Sequence, residues 1–415
     1  MSSDIAVRSD CRLCLHSKLT KVFDLPLTPP GEQLKLTIDE KNPDLVPIDL
    51  YQCEKCGHVQ VVHVPAAHTL FGSQYTFITR DNPLLIRHIE SSVSYFIDNY
   101  SSEINFVLEV GSNDGIFLET MRNEANCKVL GVDPSIEPVK IARSHEVDTI
   151  LDFFTPKLAK NIIDNYGYPD LVVANNVFAH MDDLRSVMSG ISLLLQDNSY
   201  FMFEVSYLKD VVEKYLIGTI IHEHLSVHSV HSMIPFLNEF GFNLIGIKYI
   251  ENVQGGALVG VAQKNKIVHT PDSVIKFVKN EQESGITNVK GMQSFNKKFH
   301  KNIDSFKKLI NNKVNKSRII GFGAARSAPL IIDLLDIRES IDYIIEESQL
   351  KIGKYMPIGN IPIVDMNSHI NNITDNQIYV ILGWAQTERI VEKILSITKH
   401  CFIITVYPKF EIRTY

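Results

Sequence analysis

The stretch Val107-Leu-Glu-Val-Gly-Ser-Asn-Asp-Gly115 decides how this chain folds. Phe106 to Leu108 is an apolar run of the kind that forms a short buried strand. It ends at Glu109 and breaks into a loop with glycines at Gly111 and Gly115. Ile116-Phe-Leu-Glu-Thr-Met121 then reads as a helix, with Asn113 or Asp114 near its N-cap. A strand, a glycine-rich turn and a helix N-terminus make a cradle for a nucleotide-like ligand, because glycine lets the backbone come close and loop N–H groups can donate to it. Glu109, Gly111, Ser112, Asn113, Asp114 and Gly115 are therefore candidate cofactor contacts. The spacing is not G-x-G-x-x-G, so the common dinucleotide fingerprint is absent. A βα turn that binds nothing is the competing reading of this loop by itself.

The residues that follow alternate strand and helix. Cys127-Lys-Val-Leu-Gly-Val-Asp133 reads as a second strand ending in an acid. That acid lies about 20 residues past the loop, where a ribose-binding carboxylate belongs in a βαβ nucleotide fold, so Asp133 and the adjoining Pro134 join the candidates. Ile150-Leu-Asp-Phe-Phe154 is a third strand or its end, with Asp152 and Phe153 able to flank an adenine. Residues 170–174 form a fourth strand, and Asn175-Asn-Val-Phe-Ala-His180 follows at its carboxyl end, where open α/β sheets bind ligands. Tyr200-Phe-Met-Phe-Glu204 is a fifth strand, followed by Val-Ser-Tyr207. Residues 242–250 and 257–262 read as two further strands joined by a short glycine turn, hence antiparallel neighbours. A parallel sheet finished by an antiparallel hairpin is the class I methyltransferase arrangement, and residues 109–115 resemble the Glu/Asp-x-Gly-x-x-x-Gly motif with which those enzymes hold S-adenosylmethionine.

Upstream, Cys11-Arg-Leu-Cys14 and Cys53-Glu-Lys-Cys56 bracket a turn-rich segment with little helical periodicity. Two such knuckles supply four thiolates for a tetrahedral Zn²⁺, and four protein ligands leave no open position, so the metal is structural. So short a segment buries little core of its own, and a metal would stabilise it. Composition is that of an ordinary globular protein: 415 residues, 45% hydrophobic, 21% charged. A net charge of −7 argues against a nucleic-acid partner. No apolar run is long enough for a membrane span, the N-terminus lacks a signal-peptide core, and the cysteine pattern is no disulfide framework; a cytoplasmic protein is expected. Oligomeric state is not legible.

Residues 270–312 are charged and helical in pattern. Arg318-Ile-Ile-Gly-Phe-Gly-Ala-Ala-Arg326 then repeats the strand, glycine turn and helix logic, and further apolar runs make a second, smaller α/β domain. Gly323 and Arg326 could there hold a phosphate or diphosphate. The expected organisation is a zinc-binding domain over 1–69, a methyltransferase domain over 70–265 that begins with a helical bridge (70–100), a helical linker over 266–312 and a Rossmann-like domain over 313–415.

Thr219-Ile-Ile-His-Glu-His-Leu-Ser226 puts three ionisable side chains in succession between the fifth strand and the last helix of the sheet. Histidine titrates near working pH and suits proton abstraction, and a carboxylate can fix its tautomer. The two C-x-x-C pairs, E-V-G-S-N-D-G, N-N-V-x-A-H, E-V-x-Y-L, H-E-H, Q-G-G and a C-terminal G-x-G-A occur here in one order. As an ensemble the chain resembles the sugar C-methyltransferases, which methylate C3 of nucleotide-linked 4-keto deoxysugars. The resemblance covers nearly the whole chain. It implies a zinc domain, a central class I methyltransferase Rossmann-like core and a C-terminal Rossmann-like domain that helps hold the nucleotide sugar. It places His222, Glu223 and His224 on the family's H-E-H element, with His224 as base and Glu223 as its orienting partner, and His180 near the sugar. Tyr75, Phe77, Asn176, Tyr207, Gly323 and Arg326 become candidate substrate contacts. The chain departs from the family where it has Phe77, Ile221 and Val227 in place of tyrosines. An O- or N-methyltransferase acting on another small molecule, and a zinc-ribbon binding protein with a vestigial methyltransferase core, are the competing readings.

Overall fold

The computed structural model of the chain describes residues 5–66, 70, 77–100, 103–251, 255–265, 269–314, 318–374 and 376–415, with the side chains at 313 and 314 left aside. Tyr75 lies outside the described residues.

The N-terminal part is small and mostly strand. β1 (Ile5–Val7), β2 (Leu19–Phe23), β3 (Leu50–Cys53), β4 (Val59–Val61) and β5 (His63–Pro65) are all short. β1 pairs with β5, while β2, β3 and β4 form an antiparallel sheet. Helix α1 (Pro83–Asn99) follows, started by Pro83 at its first position and by Asn82, whose side chain accepts from the Leu84 N–H. Its inner face is Leu85, His88, Ser92, Val93 and Phe96. The i, i+3, i+4 spacing is that of an amphipathic helix, with a histidine where an apolar residue would be ordinary.

The central sheet comprises β6 (Phe106–Val110), β7 (Lys128–Asp133), β8 (Thr149–Leu151), β9 (Leu171–Asn175), β10 (Tyr200–Ser206), β12 (Phe242–Ile250) and β13 (Ala257–Lys264). They lie side by side as β8-β7-β6-β9-β10-β13-β12. The first five are parallel, and β13 is antiparallel to both β10 and β12, the expected closing hairpin. Counted within the sheet, the order is 3-2-1-4-5-7-6. It reverses between β6 and β9, and in an open α/β sheet ligands bind outside the carboxyl ends at that point. Both faces are covered, so the parallel strands are largely apolar, with buried acids only toward their carboxyl ends (Glu109, Asp133 and Glu204): all of β6 is buried, as are Leu171 to Ala174 of β9.

Between β10 and the helix α7 (Val230–Glu239) lies β11 (Ser226–Val227). It does not join the central sheet. Ser226 pairs with Gln60 and Val227 with Val59, which makes β11 the fourth strand of the N-terminal sheet. The boundaries expected from the sequence placed these residues wholly in the methyltransferase part; the backbone shares them between two parts. The linker forms two helices, α8 (Asp272–Ser284) and α9 (Val289–Val314), and α9 packs Phe299 against Phe23 of β2, ring centroids 5.0 Å apart and planes tilted by 45°. The C-terminal part is a second sheet: β14 (Ile319–Phe322), β15 (Ile341–Ile345), β16 (Ile363–Val364), β17 (Gln377–Ile381), β18 (Cys401–Thr405) and β19 (Glu411–Thr414). Their order is β16-β15-β14-β17-β18-β19, parallel except for the edge strand β19.

One continuous apolar cluster joins these parts. It runs from Val22, Ile48 and Leu50 through Leu208, Val211, Leu216 and Ile217 to Phe299, Phe306, Ile331 and Trp384. Beside Ile217, Gly218 lies against the Trp384 indole, and a Cβ at Gly218 would overlap the ring. Gly218→Ala is therefore expected to destabilise the protein by about 1–3 kcal/mol through overpacking. Urea denaturation reads this, and an unchanged midpoint would contradict the tight docking of this loop on the C-terminal part.

Candidate active site and zinc knuckle

Each part contributes walls to a cavity of about 2080 Å³ at the carboxyl ends of β6, β7, β9 and β10. A single drug-sized ligand occupies about 300–1,000 Å³, so there is room for two.

The floor is the glycine loop. Gly111 N–H and Ser112 N–H both donate to the Val132 carbonyl, at 2.7 and 3.2 Å. Gly111 has φ +71°, and a Cβ there would run into Val177, so only glycine fits. Asp133 holds the loop against β7: its carboxylate accepts from the Asn113 N–H at 2.9 Å and from the Ser135 N–H at 2.8 Å. Glu109, Gly111, Ser112, Asn113, Asp133, Pro134, Asp152, Phe153 and Asn175 all line the cavity. Glu109 Oε1 accepts from Asn175 at 3.0 Å, whereas Glu109 Oε2 and Asn175 Oδ1 are buried and lack a hydrogen-bond partner. Burial pushes the Glu109 carboxyl well above its usual range, and that of Asp133 upward. Unpartnered buried polar atoms beside a glycine turn suit a ligand that carries its own hydrogen-bonding groups, as S-adenosylmethionine does.

Asp114 and Gly115, expected among the cofactor contacts, face away from the cavity. Asp114 is fully buried and accepts from the Arg80 N–H at 2.7 Å and, more loosely, from the Ile116 N–H at 3.3 Å. The N-cap of α2 (Ile116–Ala125) is Gly115, in the left-handed region, and not Asn113 or Asp114. Asn113 instead accepts from the Thr79 N–H and hydroxyl, both at 3.1 Å, and donates to the Phe77 carbonyl. These two side chains are spent on clamping the bridge over the loop.

The wall above β9 and β10 carries the histidines. His180 ends a single 3₁₀ turn (Phe178–His180), and its ring stacks on that of His224 with centroids 5.0 Å apart and planes 20° apart. His224 Nδ1 lies 2.5 Å from the Thr219 carbonyl. A carbonyl can only accept, so Nδ1 carries the proton and Nε2 is left as the basic nitrogen. Burial lowers the pKa of His224, and the Arg326 cation adds to this against the Thr219 carbonyl. Burial, then His224 and Arg326, hold His180 well below the usual histidine range.

The other two members of H-E-H point elsewhere. Glu223 is 1% exposed, and its Oε1 meets Arg326 Nη1 at 3.2 Å. Burial raises its pKa against Arg326. The backbone turn at 219–224 brings the Thr219 oxygen, not the Glu223 carboxylate, to the His224 ring, so Glu223 does not stand where the orienting partner was expected. His222 is buried against the backbone of Val46 and Pro47, and burial lowers it to about 4. Tyr207 does not reach the cavity either: it packs on Tyr249 and Phe277 and bonds to the buried Glu281 of α8. Gly323 is covered by Gly383, while Arg326 lines the cavity with Lys351 and Arg389. Phe77 and Asn176 line it as expected. A pair not anticipated is His88–Glu204: His88 Nε2 lies 2.7 Å from Glu204 Oε2, and Glu204 Oε1 accepts from Asn176 at 2.9 Å. The only sequence signal was a histidine on the apolar face of α1.

The four cysteine sulfurs lie within 4.8 Å of one another, with Cys11–Cys56 at 3.5 Å and Cys14–Cys53 at 3.6 Å. Tetrahedral zinc with sulfur at about 2.3 Å needs such spacings. Packed together, the thiols cannot ionise independently. Contact with Cys53 pushes Cys11 up, contact with Cys11 pushes Cys56 up, and contact with Cys11 holds Cys53 down. A divalent cation removes that conflict, so the residues fit a structural zinc ion.

Sheet order, glycine loop and zinc knuckle define an S-adenosylmethionine-dependent methyltransferase. Three family models match successive parts of the chain: a domain described as zinc binding over residues 11–71, a methyltransferase domain over 87–246 and a C-methyltransferase C-terminal domain over 252–406. The chain is 26% identical over 388 residues to the C-methyltransferase NovU of Streptomyces niveus, covering 92% of this chain and 91% of that protein. A ubiquinone biosynthesis O-methyltransferase of Colwellia psychrerythraea is 25% identical over 150 residues, 35% of this chain and 60% of its own. Among solved structures, a SAM-dependent methyltransferase from Archaeoglobus fulgidus aligns with 43% of this chain and 94% of its own, at 16% identity and TM-score 0.36. The chain is thus similar over nearly its whole length to C-methyltransferases, the resemblance anticipated from its sequence, and it is an enzyme that uses S-adenosylmethionine and carries zinc.

The zinc knuckle gives a direct prediction. Elemental analysis is expected to find about one zinc per chain, and Cys53→Ser to lose it and lower the melting temperature. Full zinc occupancy in Cys53→Ser would remove that residue from the ligand set.

Proposed function

We propose that the enzyme methylates C3 of a nucleotide-linked 4-keto deoxysugar through an enolate, with His224 as the base. The observation that carries this reading is the Thr219 carbonyl on His224 Nδ1, which fixes a tautomer with a basic Nε2 in a ring that lines the cavity. A carbonyl acidifies the neighbouring C–H bond. His224 Nε2 takes that proton, and the electron pair of the broken C–H bond moves onto the carbonyl oxygen as an enolate. His180 is suited to contact the sugar or the enolate oxygen, and the Arg326 charge favours that developing anion. Glu109, Gly111, Ser112, Asn113, Asp133, Pro134, Asp152, Phe153 and Asn175 would hold S-adenosylmethionine, which would supply an electrophilic methyl group: the C3–CH3 bond would form as the S–CH3 bond breaks, leaving that electron pair on sulfur and S-adenosylhomocysteine as the leaving group. Arg326, Lys351 and Arg389 line the cavity, each beside a glutamate (Glu223, Glu32 and Glu347), and are suited to exchange that partner for the diphosphate of the nucleotide, as Phe77 and Asn176 are suited to the sugar. Tyr75 is retained as a candidate sugar contact on its sequence position alone.

Among the described residues no helix is long and apolar enough to cross a membrane. Six cysteines without disulfides fit a reducing cytoplasm. The clustering of Arg326, Lys351 and Arg389 in the cavity, under an overall charge of −7, suits a small anionic substrate better than a nucleic acid.

His224→Ala is expected to abolish exchange of the C3 proton of a nucleotide-linked 4-keto deoxysugar with deuterated solvent, together with methyl transfer. Exchange and transfer both persisting at the wild-type rate would remove His224 as base. The carbon spectrum of the product separates a C-methyl from an O- or N-methyl group. The pH profile follows from the lowered pKa of His224. A base with a lowered pKa stays neutral further into acid, so kcat/KM should hold its plateau below the ordinary histidine value of about 6.5 and fall only at lower pH. An acid limb centred above that value would contradict the burial of the ring.

A further inference from the structure

The middle of the first cysteine pair holds an arginine that the reaction does not use. Arg12 is fully buried, between two zinc ligands in sequence. Its side chain donates to three separate elements: to the Val61 carbonyl of β4 at 2.6 Å, to the Leu225 carbonyl at 3.1 Å, and through Nε to Asp182 Oδ1 at 3.1 Å. Nη2 also meets Asp182 at 2.9 Å. Its own N–H donates to Gln60 at 2.9 Å, which fixes the root of the side chain. Leu225 is the residue after His224, and Asp182 is two residues after His180. The guanidinium therefore spans the two segments that carry the stacked imidazoles and ties both to the knuckle.

The choice of residue is informative. Asp182 is about half exposed and cannot fully offset a buried cation, so the site is poorly suited to stability alone. A rigid fork with five donors, however, can hold two carbonyls and a carboxylate at fixed mutual distances, which a lysine cannot. The pairing of Ser226 and Val227 with β4, and the Val61 N–H bonded to the Leu225 carbonyl at 3.0 Å, place the far end of the same loop on the same sheet. Arg8 adds a bond from Nη1 to the Asp182 carbonyl at 2.9 Å.

We propose that Arg12 is a positioning residue for the His180–His224 pair, through which the zinc knuckle sets the geometry of proton transfer. The proposal rests on the reading of His224 as base. The zinc-binding domain is then more than an appended fold: metal coordination freezes the backbone from which Arg12 reaches the active-site wall.

The test uses the full-length, zinc-loaded protein and its Arg12→Met and Asp182→Asn variants. Three quantities are read: zinc per chain with affinity for S-adenosylmethionine, the imidazole nitrogen resonances of the histidines, and kcat with KM for a TDP-linked 4-keto-6-deoxysugar. Expected are unchanged zinc and unchanged cofactor affinity. The resonances of His180 and His224 should shift while those of the exposed His145 and His400 stay in place. kcat should fall at least tenfold with KM changed by less than about threefold. Unshifted His180 and His224 resonances with wild-type kcat, zinc being retained, overturn the proposal. A fall in kcat that tracks loss of zinc or of folded protein also overturns it, since Arg12 is then only structural. Should Arg12→Met not fold, Asp182→Asn decides, because Asp182 is half exposed and its replacement leaves the knuckle intact. The resonance shifts need no substrate, whereas His224→Ala reports on the base itself, so failure of the base assignment and failure of the Arg12 proposal give different results.

Discussion

The residues from Ile217 to Val227 are held at both ends by parts of the molecule outside the central sheet, and the active site depends on that constraint. At one end Gly218 lies against Trp384 of the C-terminal part. At the other, Ser226 and Val227 complete the sheet of the zinc-binding part. Between these anchors the turn brings the Thr219 carbonyl to His224 Nδ1 and turns Glu223 toward Arg326. A class I methyltransferase sheet provides a cofactor cradle at its switch point by topology alone. A side chain facing that cradle is a separate requirement, and here His224 is brought there by a loop suspended between two flanking parts, which is the placement the proposed base needs.

The electrostatics of the wall follow from the same arrangement. A general base must be unprotonated to act, and burial supplies this by disfavouring the charged imidazole. Arg326 works in the same direction on both His180 and His224. The cation is itself balanced by Glu223, whose carboxylate is almost fully buried. Neutral histidines beside a fixed positive charge suit a reaction in which a neutral carbonyl compound becomes an enolate anion. A pair of carboxylates in the same place would oppose that anion.

Much of this was legible in the sequence, and the part that was not has a physical explanation. The loop at 107–115, the acid at Asp133, the hairpin at 242–262 and the four cysteines were all readable because each is a local pattern, with strand, turn and ligand spacing written into neighbouring residues. What escaped was set by long-range contact. The strand Ser226–Val227 has two residues, too few for any periodicity, and exists only because β4 offers an edge. The partner of His224 is a backbone oxygen, which no side-chain motif can announce, so the adjacent Glu223 looked like the natural orienting group. His88 and Glu204 are 116 residues apart and meet only once α1 lies across the strand ends. Tyr207 was expected in the cavity from its place after β10, but α8 covers that side and Glu281 takes its hydroxyl.

The claim on which the account turns is the protonation of one ring. Nitrogen-15 spectra of the histidine-labelled protein at neutral pH, with His224 assigned by substitution, measure it directly. The contact with the Thr219 carbonyl calls for a neutral His224 with its proton on Nδ1 and an unprotonated Nε2. A ring protonated on Nε2, or an imidazolium at that pH, would contradict it.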